Sequence, residues 1–106
     1  MDENINELYS VAFFIISNVG TAKSLVMEAL YAAKDGNFTL AEEKIKESEQ
    51  FFVEGHIMHA SLIQKEANGE QLHFSLMLMH SEDQLMSAET ISLLVKEMIE
   101  IYKRSI

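Results

Sequence analysis

Lys34-Asp35-Gly36-Asn37 breaks a helical pattern that runs unbroken up to it, and Ala67-Asn68-Gly69-Glu70 breaks the next one in the same way. The chain has no proline and only four glycines, so these two Gly/Asn stretches are its strongest punctuation. Gly36 and Gly69 are each expected to take the left-handed conformation that closes a helix. Reading outward from the breaks leaves three long segments. Residues 4–34 carry apolar side chains at Leu8, Val11, Ile15, Val19, Ala22, Leu25 or Val26, and Ala29, which is helical spacing. Residues 38–67 repeat the pattern through Phe38, Ala41, Ile45, Phe52 and Leu62, with Glu and Lys on the other faces. Residues 73–104 repeat it through Leu76, Met79, Leu94, Met98 and Ile101, with Lys103 and Arg104 in the last turn, where positive charge is favoured.

Short connections make successive helices antiparallel neighbours, so the expected fold is all-α, an antiparallel up-down-up three-helix bundle. At 106 residues it forms a single domain, 1–106. Gly20 and Gly55 fall within helical patterns and are expected at close helix–helix contacts. Phe13-Phe14-Ile15-Ile16 and Leu76-Met77-Leu78-Met79 are apolar all round their turns. A helix of that kind must be covered on every side, which two neighbours in a bundle do not achieve. Association with further copies is the expected remedy.

Composition narrows the function. Eight basic residues against 17 acidic ones give a formal net charge of −9. That is little material for the basic face that nucleic acid or an anionic membrane demands, and it favours a partner with a basic docking surface. The absence of cysteine excludes disulfides, thiolate metal sites and a cysteine nucleophile. Met1-Asp2-Glu3-Asn4 has none of the basic character of a signal peptide, and the longest uninterrupted apolar run, Val11 to Ile16, is far shorter than a bilayer requires. A cytoplasmic protein without direct membrane insertion is expected.

Chemistry concentrates in the third segment. His80 shares a helical stripe with Asp83 and Gln84, one turn on, and with Ser87, two turns on, whereas Glu82 points to the opposite side. By spacing alone this stripe favours a hydrogen-bonded core or interface histidine, with Asp83 orienting the ring. No nucleophile-elbow pattern surrounds any serine. The Glu-x-x-His pairs of a di-metal carboxylate bundle are missing, since Glu70 and His73 straddle a turn. His56 and His59 sit at i, i+3, but spacing identifies no third or fourth metal ligand for them.

At this point a resemblance enters. Met79-His80-Ser81-Glu82-Asp83-Gln84-Leu85-Met86 resembles the M-H-x-Q-D-H-L-M motif of the IIA component of the lactose/cellobiose-specific bacterial sugar phosphotransferase system. Ala29-Leu30-Tyr31-Ala32-Ala33-Lys34-Asp35-Gly36-Asn37-Phe38 resembles the family's E-A-L-x-x-A-x-x-G-x-F segment. Glu54-Gly55-His56, Gln64 to Glu70, and Ile99 to Arg104 are similar to its second helix, turn and C-terminal end.

The resemblance implies a cytoplasmic homotrimer. Its subunit accepts a phosphoryl group from the carrier protein HPr on the histidine matching His80. It then passes the group to a cysteine of the IIB component during uptake of a β-linked disaccharide. It implies also that Asp83, one from each of three subunits, holds a divalent metal ion at the trimer axis, for which Mg²⁺ suits a hard oxygen site. Gln84 and Ser87 are candidate hydrogen-bond donors to the phosphoryl oxygens. The chain departs from the family pattern at Glu82 and Gln84, where the motif has glutamine and histidine, and at His59, where glutamine is usual. The alternative reading is a trimeric regulatory or binding module that has lost the relay.

Overall fold

The computed structural model describes residues 3–105. Three helices, α1 (Glu3–Lys34), α2 (Phe38–Ala67) and α3 (Leu76–Arg104), follow one another without any strand among the described residues. The break at residues 34–37 serves both helices it separates. Gly36 has φ of 80° and donates its N–H to the Ala33 carbonyl at 3.0 Å, while Asn37 donates to Ala32 at 2.9 Å. That pair of hydrogen bonds satisfies carbonyls the helix end leaves free. The Asn37 side chain then accepts from Leu40 N–H at 3.1 Å and caps α2. Gly69, with φ of 91°, closes α2 by the same pair of bonds, Gly69 to Glu66 and Glu70 to Lys65.

Cross-helix contacts establish the direction of each helix. Lys44 reaches Glu28, and Gly55 lies against Val19, so α1 and α2 are antiparallel; His59 meets Glu82 and Glu42 meets Lys103, so α2 and α3 are antiparallel as well. The expected up-down-up bundle is present. It is a rod of 56 × 22 × 20 Å. Its 16.5 Å radius of gyration exceeds the roughly 13 Å of a compact domain of this length.

The core is built around α1. Leu8, Ala12, Ile15, Val19, Ala22, Val26, Ala29 and Ala33 are all buried and recur at alternating steps of four and three, the seam of a coiled coil. Ala12 therefore takes the core position that the sequence reading gave to Val11, which is half-buried. Facing this seam, α2 buries Ala41, Ser48, Gly55 and Leu62 at seven-residue intervals. On α3 the buried set is Ser81, Leu85, Ala88, Ser92, Val95 and Ile99. The buried serines satisfy themselves locally, Ser48 on the Ile45 carbonyl at 2.6 Å and Ser81 on Leu78 at 2.7 Å.

This corrects the reading of the third helix. The large apolar residues Leu76, Met79, Leu94, Met98 and Ile101 do follow helical spacing, but they lie on its exposed face. The core side instead alternates small residues, Ser81, Ala88 and Ser92, with Leu85, Val95 and Ile99, so large apolar side chains lie on both faces. Helix α3 also begins at Leu76 rather than 73, with Ser75 as its N-cap.

Two further expectations divide. A Cβ on Gly55 would meet Val19 Cγ2 at 3.1 Å, a close helix–helix contact as anticipated, whereas a Cβ on Gly20 would meet nothing within 4 Å. Gly20 is exposed and marks no contact. Helix α1 also has the length and apolar character of a membrane span despite its short uninterrupted runs. Its buried stripe identifies it as the core helix of the bundle.

Gly20→Ala is expected to stabilise the protein by about 0.5–1 kcal/mol by removing a helix-interior glycine. Gly36→Ala should destabilise it by about 1–2 kcal/mol, because a Cβ is strained at positive φ. Urea unfolding of both variants beside the parent checks the opposite signs.

Candidate functional site on the third helix

Ser75 opens α3 in extended conformation, its hydroxyl accepting from Leu78 N–H at 3.0 Å. His80 is thus the fifth helical residue, in the second turn of α3. Side chains on a helix lean toward its N-terminus, so the His80 ring is carried back toward the partly positive end, a favourable place for an anion. His80 and Asp83 are exposed, and Gln84 and Ser87 are half-buried. Helical spacing alone brings the four together.

Around them lies the outer apolar stripe. Leu76 is 80 % exposed and Met86 62 %, and Asp83 falls between Met79 and Met86 at the middle of the outward face. Among the described residues no three His, Cys, Asp or Glu side chains within one subunit converge as a metal site. A single outward carboxylate at the centre of an apolar stripe still fits a site that needs one ligand from each of three copies.

The other flank of α3 carries an arrangement that sequence spacing did not resolve. Glu82, Glu89, Lys96 and Lys103, seven residues apart, reach across to His59, His56, Glu49 and Glu42 of α2. The distances are 2.7 Å for His59–Glu82, 3.1 Å for His56–Glu89, 4.0 Å for Glu49–Lys96 and 2.9 Å for Glu42–Lys103. His56 and His59 therefore each pair with a glutamate and do not form a metal-ligand couple. The ladder's signal was present in the sequence as a heptad repeat of charge, but charge repeats usually mark a merely solvated face. At the exposed far end, the Lys103 ammonium holds the Glu42 carboxyl below its ordinary value, and Glu42 in turn raises Lys103.

Three shallow clefts of about 400 to 420 Å³ run along this seam. His80 lines none of them; it faces away.

Comparison with known proteins now decides the family. The model of the lactose/cellobiose-specific IIA subunit of the phosphotransferase system matches residues 10–103. The chain belongs to this IIA family. The oligo-beta-mannoside-specific EIIA component of Bacillus subtilis (strain 168) is 41% identical over 93 residues, covering 88% of this chain and 84% of that one. The crystal structure of the cellobiose-specific enzyme IIA from Bacillus anthracis superposes with a TM-score of 0.90 at 36% identity, covering 98% of this chain and 92% of that one. The solution structure of the IIA(Chitobiose)–HPr complex from Escherichia coli gives 0.79 at 31% identity, over 98% and 97% of the two chains. The chain is thus a IIA-type component of a sugar phosphotransferase system, and all three departures from the motif lie in its helices α2 and α3.

Ser75→Ala should fray the start of this IIA α3 and cost about 1 kcal/mol. Faster amide exchange at Leu78 and Met79 than in the parent, with the α3 C-terminal turns unchanged, checks it. The Glu42–Lys103 pair carries a sign for pH. A depressed folded-state carboxyl contributes stability above its ordinary value of 4.5 and loses it as pH falls through the lower folded value. Glu42→Gln should therefore be less stable than the parent at neutral pH, and the difference should close in acid below the ordinary carboxyl range. Melting both proteins across pH 3 to 7, about the span in which carboxylates titrate, checks this.

Proposed function

We infer that the chain is a cytoplasmic phosphocarrier in which His80 accepts a phosphoryl group from phospho-HPr and delivers it to a cysteine of the IIB component. The observation that carries this reading is the position of His80, exposed in the second turn of α3, within a family match that spans the motif. The related IIA(Chitobiose) chain that forms a complex with HPr supports HPr as donor. In the first transfer the P–N bond of the donor histidine breaks as a P–N bond to the His80 ring forms. In the second that bond breaks as a P–S bond to the IIB cysteine forms. Phosphoryl transfer has a loose transition state, so the protein's task is alignment and charge stabilisation. An exposed histidine lets two partners approach in line, and the nearby helix N-terminus favours the transferred anion. Gln84 and Ser87, on the same stripe, are placed to donate to phosphoryl oxygens.

The functional unit in this reading is a homotrimer joined through the outer stripe of α3. Asp83 at its centre would then bring three carboxylates onto one axis, where their repulsion is large in a poorly solvated core. A divalent cation such as Mg²⁺, held by Asp83 from each subunit, supplies the neutralising charge. The sugar is read only as a β-linked disaccharide, as the names of the relatives suggest. The competing reading, a trimeric module without a relay, draws on the departures at Glu82, Gln84 and His59; the engagement of Glu82 with His59 weakens it.

Incubation with phosphoenolpyruvate, the first enzyme of the system and HPr should add one acid-labile phosphate, seen by mass. His80→Ala should abolish it; an unlabelled parent, or a labelled variant, overturns the relay. Asp83→Leu should lose bound divalent metal while remaining trimeric, because an apolar side chain also relieves the repulsion. Ultracentrifugation with metal analysis checks this, and a monomeric parent at micromolar concentration overturns the axis arrangement.

A further inference from the structure

Two of the three departures from the family motif, His59 and Glu82, are 23 positions apart in sequence and bonded to one another in space. His59 Nε2 lies 2.7 Å from Glu82 Oε2, partly buried at the end of the α2–α3 seam nearest the second turn. A carboxylate only accepts hydrogen bonds, so Nε2 carries the proton and donates it. His59 is the partner that Glu82 meets across the seam; the cleft around the pair is lined also by Glu66, His73 and Ser75, and by no lysine or arginine. Glu82 is two residues from His80, so its Cα is only about 5.4 Å away, but the side chains leave the helix about 200° apart.

We propose that His59 is a positioning residue for the phosphorylation of His80: its hydrogen bond pins the Glu82 carboxylate to the α2–α3 seam and keeps that negative charge from the face where the phosphoryl group arrives. The proposal rests on the phosphocarrier reading. A glutamate in place of a neutral glutamine adds a mobile negative charge within reach of a dianionic group. At roughly 10 Å, about one Debye length at physiological salt, a freed carboxylate still repels the phosphoryl group. The imidazole confines the carboxylate on the flank where Glu89, Lys96 and Lys103 make the same crossing.

The test compares initial rates of His80 labelling by phospho-HPr at low salt in the parent, His59→Leu, Glu82→Gln and the double variant. Leucine cannot hold the carboxylate, and His59→Ala replaces it if leucine does not fit the partly buried site. The His59 variant is expected to label more slowly, by at most about fourfold, the full effect of one charge on a dianion at roughly 10 Å in water. The double variant should recover the parental rate, since no charge is left to confine, and Glu82→Gln alone should be no slower than the parent. Raising salt to about 0.5 M should shrink the defect of the His59 variant. A His59 variant as fast as the parent, or a double variant as slow as the single one, overturns the proposal while leaving the relay intact. A parent that takes no label at all overturns the relay itself, and the proposal with it.

Discussion

The close approach of α2 and α3 to α1 governs the molecule. Alternating Ala12, Ile15, Val19, Ala22, Val26, Ala29 and Ala33 give α1 a narrow seam of small and medium side chains, all nearly inaccessible to water. The partners answer with Ser48 and Gly55 on α2 and Ser81, Ala88 and Ser92 on α3. Small residues at such positions shorten the distance between helix axes and multiply dispersion contacts that are individually weak. Leu62 on α2 and Leu85, Val95 and Ile99 on α3 complete the core, and each outer helix carries further bulk on other faces. For α3 this bulk is the exposed row of leucines, methionines and isoleucine that surrounds Asp83. The tight centre and the unsatisfied exterior are two sides of one distribution of side-chain volume.

Much of this was legible in the sequence, and the exceptions have physical causes. The two Gly/Asn stretches located both turns, because a glycine at positive φ is nearly irreplaceable where a helix reverses into a short connection. Helix existence followed from spacing. The face of α3 did not, since hydrophobicity identifies a stripe without saying what covers it, and here serine and alanine share the core with Leu85, Val95 and Ile99. Gly20 and Gly55 looked alike as letters; what separates them is that Val19 and Leu85 lie against Gly55 and nothing lies against Gly20. At the site, His80, Asp83, Gln84 and Ser87 could be placed on one stripe by helical arithmetic alone. The partner of Glu82 could not, because it stands on another helix and pairing depends on the register between helices.

That register also explains why α2 and α3 hold together with so little direct packing between their backbones. Long side chains bridge the seam, and exposed ion pairs of this kind contribute modestly one by one. Two rungs are lysine–glutamate pairs; the two nearer the start of α3 pair histidine with glutamate. The seam therefore changes chemistry along the rod, with its imidazole rungs beside the turn that carries His80.

The seven-residue repeat has a consequence for how such a chain can change length. The core positions of α2, the core positions of α3 and the α3 side of the rungs all advance in the same step of seven. Inserting one residue in α3 beyond Glu82 would turn everything after it by about 100°, moving the later rungs off α2 and polar residues into the seam of α1. A whole heptad added in all three helices would preserve every alignment and only lengthen the rod. Its dimensions along the axis are in that sense quantised, and viable length variants should differ by complete repeats or confine their changes to the residues between helices.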